Sequence, residues 1–175
     1  MSSERRDLVE LGVEAAKEGY GLFVGNTLST LILAIGSIAI ARLLGSENYG
    51  VYSLSFIIPS MLILFTGLGI DQSLIKYVSE YSSRELYSDV RGMFQASLLF
   101  KLVTGSFTTI IVYLLAGSLA SNLLNRPYMT PLLQISSLLI LFQAIYTLCS
   151  NFFIGLGRAS ISGALATLQA LVKYR

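Results

Sequence analysis

Histidine is absent from these 175 residues, cysteine occurs once, and charged side chains make up only 13% of the chain. With no histidine and a lone Cys149 inside an apolar run, the chain has no ligand set for zinc or haem and no intramolecular disulfide. Glycine-rich phosphate loops, paired intramembrane carboxylates and Ser/His/Asp arrangements are missing as well, so no enzyme chemistry, no metal and no cofactor is expected. The net charge of +2 is too small to point to nucleic acid.

What fills the space is hydrocarbon. Hydrophobic residues make up 54% of the chain and the mean hydropathy is +0.69, whereas an ordinary soluble domain carries about 25% charged residues. The few charges are clustered, leaving charge-free intervals at 19–41, 48–70, 102–125, 127–157 and 159–172. A helix needs about 20 apolar residues to cross the ~30 Å hydrocarbon layer, because lipid offers its backbone no hydrogen-bond partner. The expected fold class is therefore all-α, a polytopic membrane bundle. Four full spans lie at about 21–42, 50–70, 94–118 and 131–153, and a fifth at 159–175 stops short at Arg175. No period-two alternation supports a barrel.

Basic residues set the orientation. With a cytoplasmic amino terminus, Arg5, Arg6, Lys17, Lys76, Arg84, Arg91 and Arg158 fall inside, and only Arg42 and Arg126 fall outside. Positive-inside bias favours that arrangement. Residues 1–20 mix both signs and lack a cleavage pattern, so no cleaved leader is expected. Within them Leu8, Leu11, Gly12, Ala15 and Ala16 recur at helical spacing and predict a short amphipathic helix on the cytoplasmic face. After the second span, Asp71 is expected to cap a helix whose Leu74, Ile75, Val78 and Tyr81 share one face. Ser82 and Glu85 have capping-box spacing for the next helix.

Between the first two spans lies ARLLGSENYGVYSLS, residues 41–55. Arg42 suits the last turn of a helix at the outer headgroups, Gly45 offers a left-handed stop, Gly50 opens the second span, and Tyr49 and Tyr52 belong at interfacial depth. A tight outer hairpin follows. This stretch, with the later GLGIDQSLIKYVSEY, resembles the start of the polysaccharide biosynthesis family of lipid-linked oligosaccharide flippases, within the multidrug/oligosaccharidyl-lipid/polysaccharide exporter superfamily. The matching positions are Arg42, Leu43, Leu44, Gly45, Tyr49 and Gly50, then Gly69, Lys76, Glu80 and Tyr81. A second likeness lies in NFFIGLGRA, which carries Gly155, Gly157 and Arg158 and is similar to the family's turn between its fourth and fifth spans. The resemblance implies twelve to fourteen helices in two pseudo-symmetric bundles around a cavity that opens alternately to either side. This chain is then the front of one bundle, an amino-terminal fragment or a truncated product.

Few residues are equipped to handle such a substrate. Lys101 is the one charge well inside a span. It either holds the diphosphate of an isoprenoid-linked sugar as a point charge or snorkels to the cytoplasmic headgroups if the third span starts nearer Ser97. Along the fourth span, Ser136, Gln143, Thr147 and Ser150 or Asn151 form a polar stripe. It is suited to sugar hydroxyls in a wet cavity, or to holding helices together. Asn26, Thr30 and Ser37 make a weaker stripe on the first span, and Pro59 predicts a kink near Phe56 in the second. Asp71 has a second reading as a proton or cation site.

The expected activity is movement of an isoprenoid-linked oligosaccharide or polysaccharide precursor across the cytoplasmic membrane by alternating access, in a multi-pass protein. Its partners are membrane lipid, the isoprenoid-linked glycan, and the missing second half or another copy. The alternatives are a multidrug/cation antiporter of the same superfamily and a non-transporting structural membrane fragment. The first span has no carboxylate of the kind antiporters use. Lipid II flippases are more cationic where this chain has Gly36, Ser37, Ile63 and Leu64, which favours the general polysaccharide branch.

Overall fold

A computed structural model describes residues 2–67 and 69–173, with side chains from Val9 onward. Leu8, Arg5 and Arg6 therefore lie outside the described side chains, and Arg175 lies outside the described residues. The described chain is helical and without strands: α1 (Ser2–Gly67), α2 (Ile70–Ser83), α3 (Tyr87–Ser118), α4 (Thr130–Gly155) and α5 (Ala159–Lys173). A π turn, Leu119–Leu123, and a 3-10 turn, Pro127–Met129, join α3 to α4. Among the described residues three helical stretches are long and apolar enough to cross a membrane, Val9–Gly67, Tyr87–Leu123 and Pro127–Gly155.

Within α1, Gly45 leaves the helical region at φ 76°, ψ 167°, so α1 is two helices joined at that residue. The contacts of α5 show what this does. At its start the Ser160 N–H donates to Glu18 Oε2 at 2.8 Å, and at its end Lys173 Nζ stands 5.6 Å from the centre of the Phe56 ring. The residues from 160 to 173 cover about 20 Å, yet Glu18 and Phe56 on an unbroken helix would be separated by about 57 Å. The chain must fold back at Gly45, giving α1 two antiparallel arms, 2–44 and 46–67. A tight hairpin is present where the sequence anticipates one, but without a loop, because the helix resumes at Ser46 rather than at Gly50. Tyr49, Tyr52 and Phe56 then pack along the first turns of the second arm, the first two tilted with centroids 6.2 Å apart and the last two edge to face at 4.7 Å.

Three other expectations change. The anticipated amphipathic helix at residues 1–20 is not a separate element, since helical backbone runs from Ser2 straight into the first apolar run. Pro59 is buried within helical backbone, and the reversal of α1 lies at Gly45, fourteen residues earlier. The Ser82/Glu85 capping box does not form: Ser82 lies within α2, Glu85 turns at φ 59°, and α3 begins at Tyr87 with no side-chain cap. The turn is closed by backbone instead, Glu85 N–H to Ser82 O and Leu86 N–H to Tyr81 O.

Two apolar clusters mark the ends of the bundle. Val51, Ala116, Ala120, Met129 and Leu133 close the end beside Gly45. Leu74, Val78, Val90 and Leu148 close the other, where α2 lays the anticipated apolar face against Phe94, Leu98 and Phe152. Between them the first arm of α1 meets α5 through glycine. A Cβ on Gly21 would approach Ser160 Cβ to 2.6 Å, one on Gly163 would reach Gly21 O at 2.8 Å, and Gly25 lies directly on Gly163. Removing the side chains lets two backbones touch, which is how helices associate where lipid gives no hydrophobic drive. Thr167 Oγ1 uses the closeness to donate to Gly25 O at 3.1 Å.

Replacing Gly25 with Ala should therefore separate α1 from α5 and destabilise the protein by about 1–3 kcal/mol, the usual scale of overpacking. Thermal unfolding in detergent checks this against Gly12→Ala. Nothing lies within 4 Å of a Cβ at Gly12, and that change should be neutral or mildly stabilising.

Candidate functional site

Lys101 is the fifteenth residue of α3, near the middle of a 32-residue helix, and only 1% of it is exposed. Its Nζ lies 2.9 Å from Asp71 Oδ2. This replaces two expectations: Lys101 does not snorkel to the headgroups, and Asp71 does not cap α2, which has Gly69 at its N-cap position and no side-chain cap. An isolated ammonium in hydrocarbon is very costly, and a carboxylate partner offsets much of that only with close geometry.

The surrounding backbone favours both charges. Gly67 ends α1 and Ile70 begins α2, so the pair lies between the carbonyl end of one helix and the amide end of the next. The first helix end attracts a cation and the second an anion. Gly69 makes the abrupt change of direction at φ 82°, ψ −6°. Gly67 makes room: a Cβ there would fall 2.5 Å from Asp71 Oδ2 and 3.6 Å from Lys101 Nζ. One turn along α3 from Lys101, Thr104 Oγ1 donates to Thr66 O at 3.2 Å and to its own Phe100 O at 2.9 Å, which satisfies one of the orphan carbonyls at the end of α1. Asp71 Oδ1 is buried and without a hydrogen-bond partner. The pair joins α2 to α3, and Thr104 joins α3 to α1, but one acceptor of the pair is left unused.

The polar stripe of α4 divides among its neighbours. Ser136 Oγ donates to Ser55 O on the second arm of α1 at 2.7 Å. Gln143 Oε1 accepts from Gln169 Nε2 of α5 at 2.6 Å, and Ser150 hydrogen-bonds Ser162 of α5. Thr147 returns its hydroxyl to Gln143 O, and Asn151 is half-buried. Asn26 is exposed on the first arm, where its carbonyl accepts from Thr30. The structure thus does not bring Lys101 and the stripe residues Gln143, Thr147 and Asn151 into one hydrogen-bonded cluster, and Asn26 joins neither.

Physical reasons attach to the motif residues. Gly45, Gly69 and Gly157 all have positive φ, 76°, 82° and 74°. Gly155 is a packing site, since a Cβ there would meet Val78 Cβ at 3.0 Å and Ile75 O at 3.1 Å. Gly50 and Tyr49 are half-buried, whereas Arg42, Lys76 and Arg158 are exposed, with Lys76 Nζ 5.7 Å from the Tyr77 ring centre. Three contributors were missed in the sequence: Gly67, Thr104 and Gln169. Only the last carried a usable signal, being an amide inside an otherwise apolar helix.

The profile of the polysaccharide biosynthesis protein family matches residues 16–174. The lipid II flippase MurJ of Bacillus subtilis (strain 168) is 22% identical over 162 residues, an alignment covering 86% of this chain and 30% of that protein. The chain therefore spans about a third of the length of the curated relative it matches. No solved structure matches.

Breaking the pair from either side should be far worse than removing it. Lys101→Met or Asp71→Asn alone is expected to cost about 3 kcal/mol, at the low end for a buried pair because a quarter of the Asp71 side chain is exposed. The double change Lys101→Met with Asp71→Leu should recover most of that loss. A double-mutant cycle of unfolding in detergent measures the coupling, and strict additivity would rule it out.

Proposed function

The chain belongs to the polysaccharide biosynthesis protein family, and from that premise we propose that it forms part of a flippase for isoprenoid-linked oligosaccharide or polysaccharide precursors, working by alternating access in the cytoplasmic membrane. The carrying observation is the buried Lys101–Asp71 pair, a strongly held intramembrane cation beside the break between α1 and α2. Intramembrane ionisable groups mark substrate paths far more often than they serve packing, because hydrophobic residues pack helices at less cost.

In this reading the two arms of α1 cross the membrane separately, followed by α3, α4 and α5, with the amino terminus and α2 on the cytoplasmic side. Lys101 meets the diphosphate of the carrier lipid. Gln143, Thr147 and Asn151 meet sugar hydroxyls, with Asn26 on the opposite arm. Hydroxyl-bearing sugars are transferred through a polar path while the isoprenoid chain remains in lipid, so no bond is made or broken and the protein is not an enzyme. The similarity to MurJ of Bacillus subtilis favours a second reading in which the transported precursor is of the lipid II type. The uncharged Gly36, Ser37, Ile63 and Leu64 favour a general polysaccharide precursor.

The test uses the gene product reconstituted in vesicles with a fluorescent isoprenyl-diphosphate sugar. Transfer between leaflets should be fast, and Lys101→Gln should slow it about tenfold, equivalent to 1.4 kcal/mol, with membrane insertion unchanged. Equal transfer with and without Lys101 would remove this residue from the mechanism. Extrusion of a cationic dye in place of sugar transfer would support an antiporter instead.

A further inference from the structure

Resting on the reading of Lys101 as the group that meets the diphosphate, we propose that Asp71 is a resident stand-in for that anion: an organic diphosphate displaces it from Lys101, and the displacement unlocks α2 from the bundle. Four observations converge on this.

First, the pairing is one-sided. Lys101 Nζ has three donors, and its contact is with a single oxygen, Asp71 Oδ2 at 2.9 Å, while Oδ1 is buried without a partner. Second, the two partners differ in access: the Lys101 side chain is 2% exposed, whereas that of Asp71 is 25% exposed. An incoming anion reaches Lys101 from the side that Asp71 occupies, so exchange of one anion for another does not require Lys101 to leave the bundle. Third, the two residues sit on opposite sides of a joint. Asp71 is in the first turn of α2, directly after Gly69 at φ 82°, and Lys101 is fixed in mid-α3. Thr104 holds Thr66, on the α1 side of the joint, so the end of α1 stays attached when Asp71 leaves. Fourth, only the missing side chain at Gly67 admits an anion beside Lys101: a Cβ there would fall 2.5 Å from Asp71 Oδ2 and 3.6 Å from Lys101 Nζ. Among the described residues the ion pair at this joint is Lys101 with Asp71.

The exchange conserves charge where it matters. Lys101 keeps an anion throughout, so no bare ammonium is left in the low-dielectric interior, and Asp71, already close to the surface, moves outward to water. What changes is mechanical, because the ion pair that ties α2 to α3 is lost while the ligand occupies its place. Lys101 is the binding residue in this scheme and Asp71 the positioning one.

Hydrogen exchange of residues 70–83 in the reconstituted gene product reads the lock directly, independently of flipping. A short-chain isoprenyl diphosphate should accelerate exchange in α2 about tenfold, and Asp71→Asn should do so without ligand, as expected when a local opening loses its closing contact. Phosphatidylglycerol vesicles alone should not, which separates the carrier diphosphate from an ordinary lipid phosphate. The charge swap Asp71→Lys with Lys101→Asp keeps an ion pair but places a carboxylate where the diphosphate must bind. It should restore slow exchange and fail to respond to ligand. If the swap responds as the native protein does, or if the diphosphate leaves α2 exchange unchanged, the lock is disproved. If the lock responds but no transfer between leaflets occurs, the lock stands and the flippase reading fails.

Discussion

Burying one ammonium group in a helix surrounded by hydrocarbon constrains everything around it. Lys101 needs an anion, and the anion must arrive on another helix at the right depth. Asp71 does so because α1 stops at Gly67, the chain turns at Gly69, and α2 starts with its amide end facing the same spot. The two helix ends supply partial charges of the correct sign on each side. None of these parts works alone: a side chain at Gly67 strikes the carboxylate, and a longer α1 carries Asp71 out of reach.

The rest of the bundle follows from a related constraint, that polar groups in lipid must find partners within the protein. Small hydroxyls do this almost everywhere. Ser55, Ser60, Thr66 and Ser137 return to carbonyls of their own helix, while Ser136, Thr104 and Thr167 reach across to neighbouring backbones. Each cross-helix bond requires close backbones, and the glycines at 21, 25 and 163 provide that closeness for α1 and α5. Against this background of small groups the Gln143–Gln169 pair is unusual in size, joining α4 to α5 by side-chain amides.

Composition and charge spacing were enough to read an all-helical membrane chain, and glycine was enough to read its first corner, at Gly45, whereas Gly69 and Gly157 were marked only as motif positions. Gly45, Gly69 and Gly157 stand in the sequence at the ends of apolar runs and each has positive φ in the structure. Local signals were less reliable where a long-range partner competed. Asp71 has the spacing of a cap, but the buried cation of α3, thirty residues away, offers a stronger interaction than an amide already near water. Ser82 and Glu85 have the spacing of a capping box, but α2 consumes Ser82 before α3 begins. Pairings across helices, such as Ser136 with Ser55, leave no trace in local periodicity because they depend on how whole helices settle together.

The choice of lysine at 101 bears on how the site works. Arginine would present a planar fork that binds a carboxylate through two parallel bonds, making a rigid partner that is slow to release. Lysine is a point charge on a flexible stem, and here it touches one oxygen of Asp71 and leaves the other idle. A diphosphate has several equivalent oxygens and more charge than one carboxylate, so it competes well for a point charge and would gain less from a fork already filled. Tight burial and a loosely specified partner therefore belong together: burial keeps Lys101 from ever being without an anion, and monodentate contact lets the anion change.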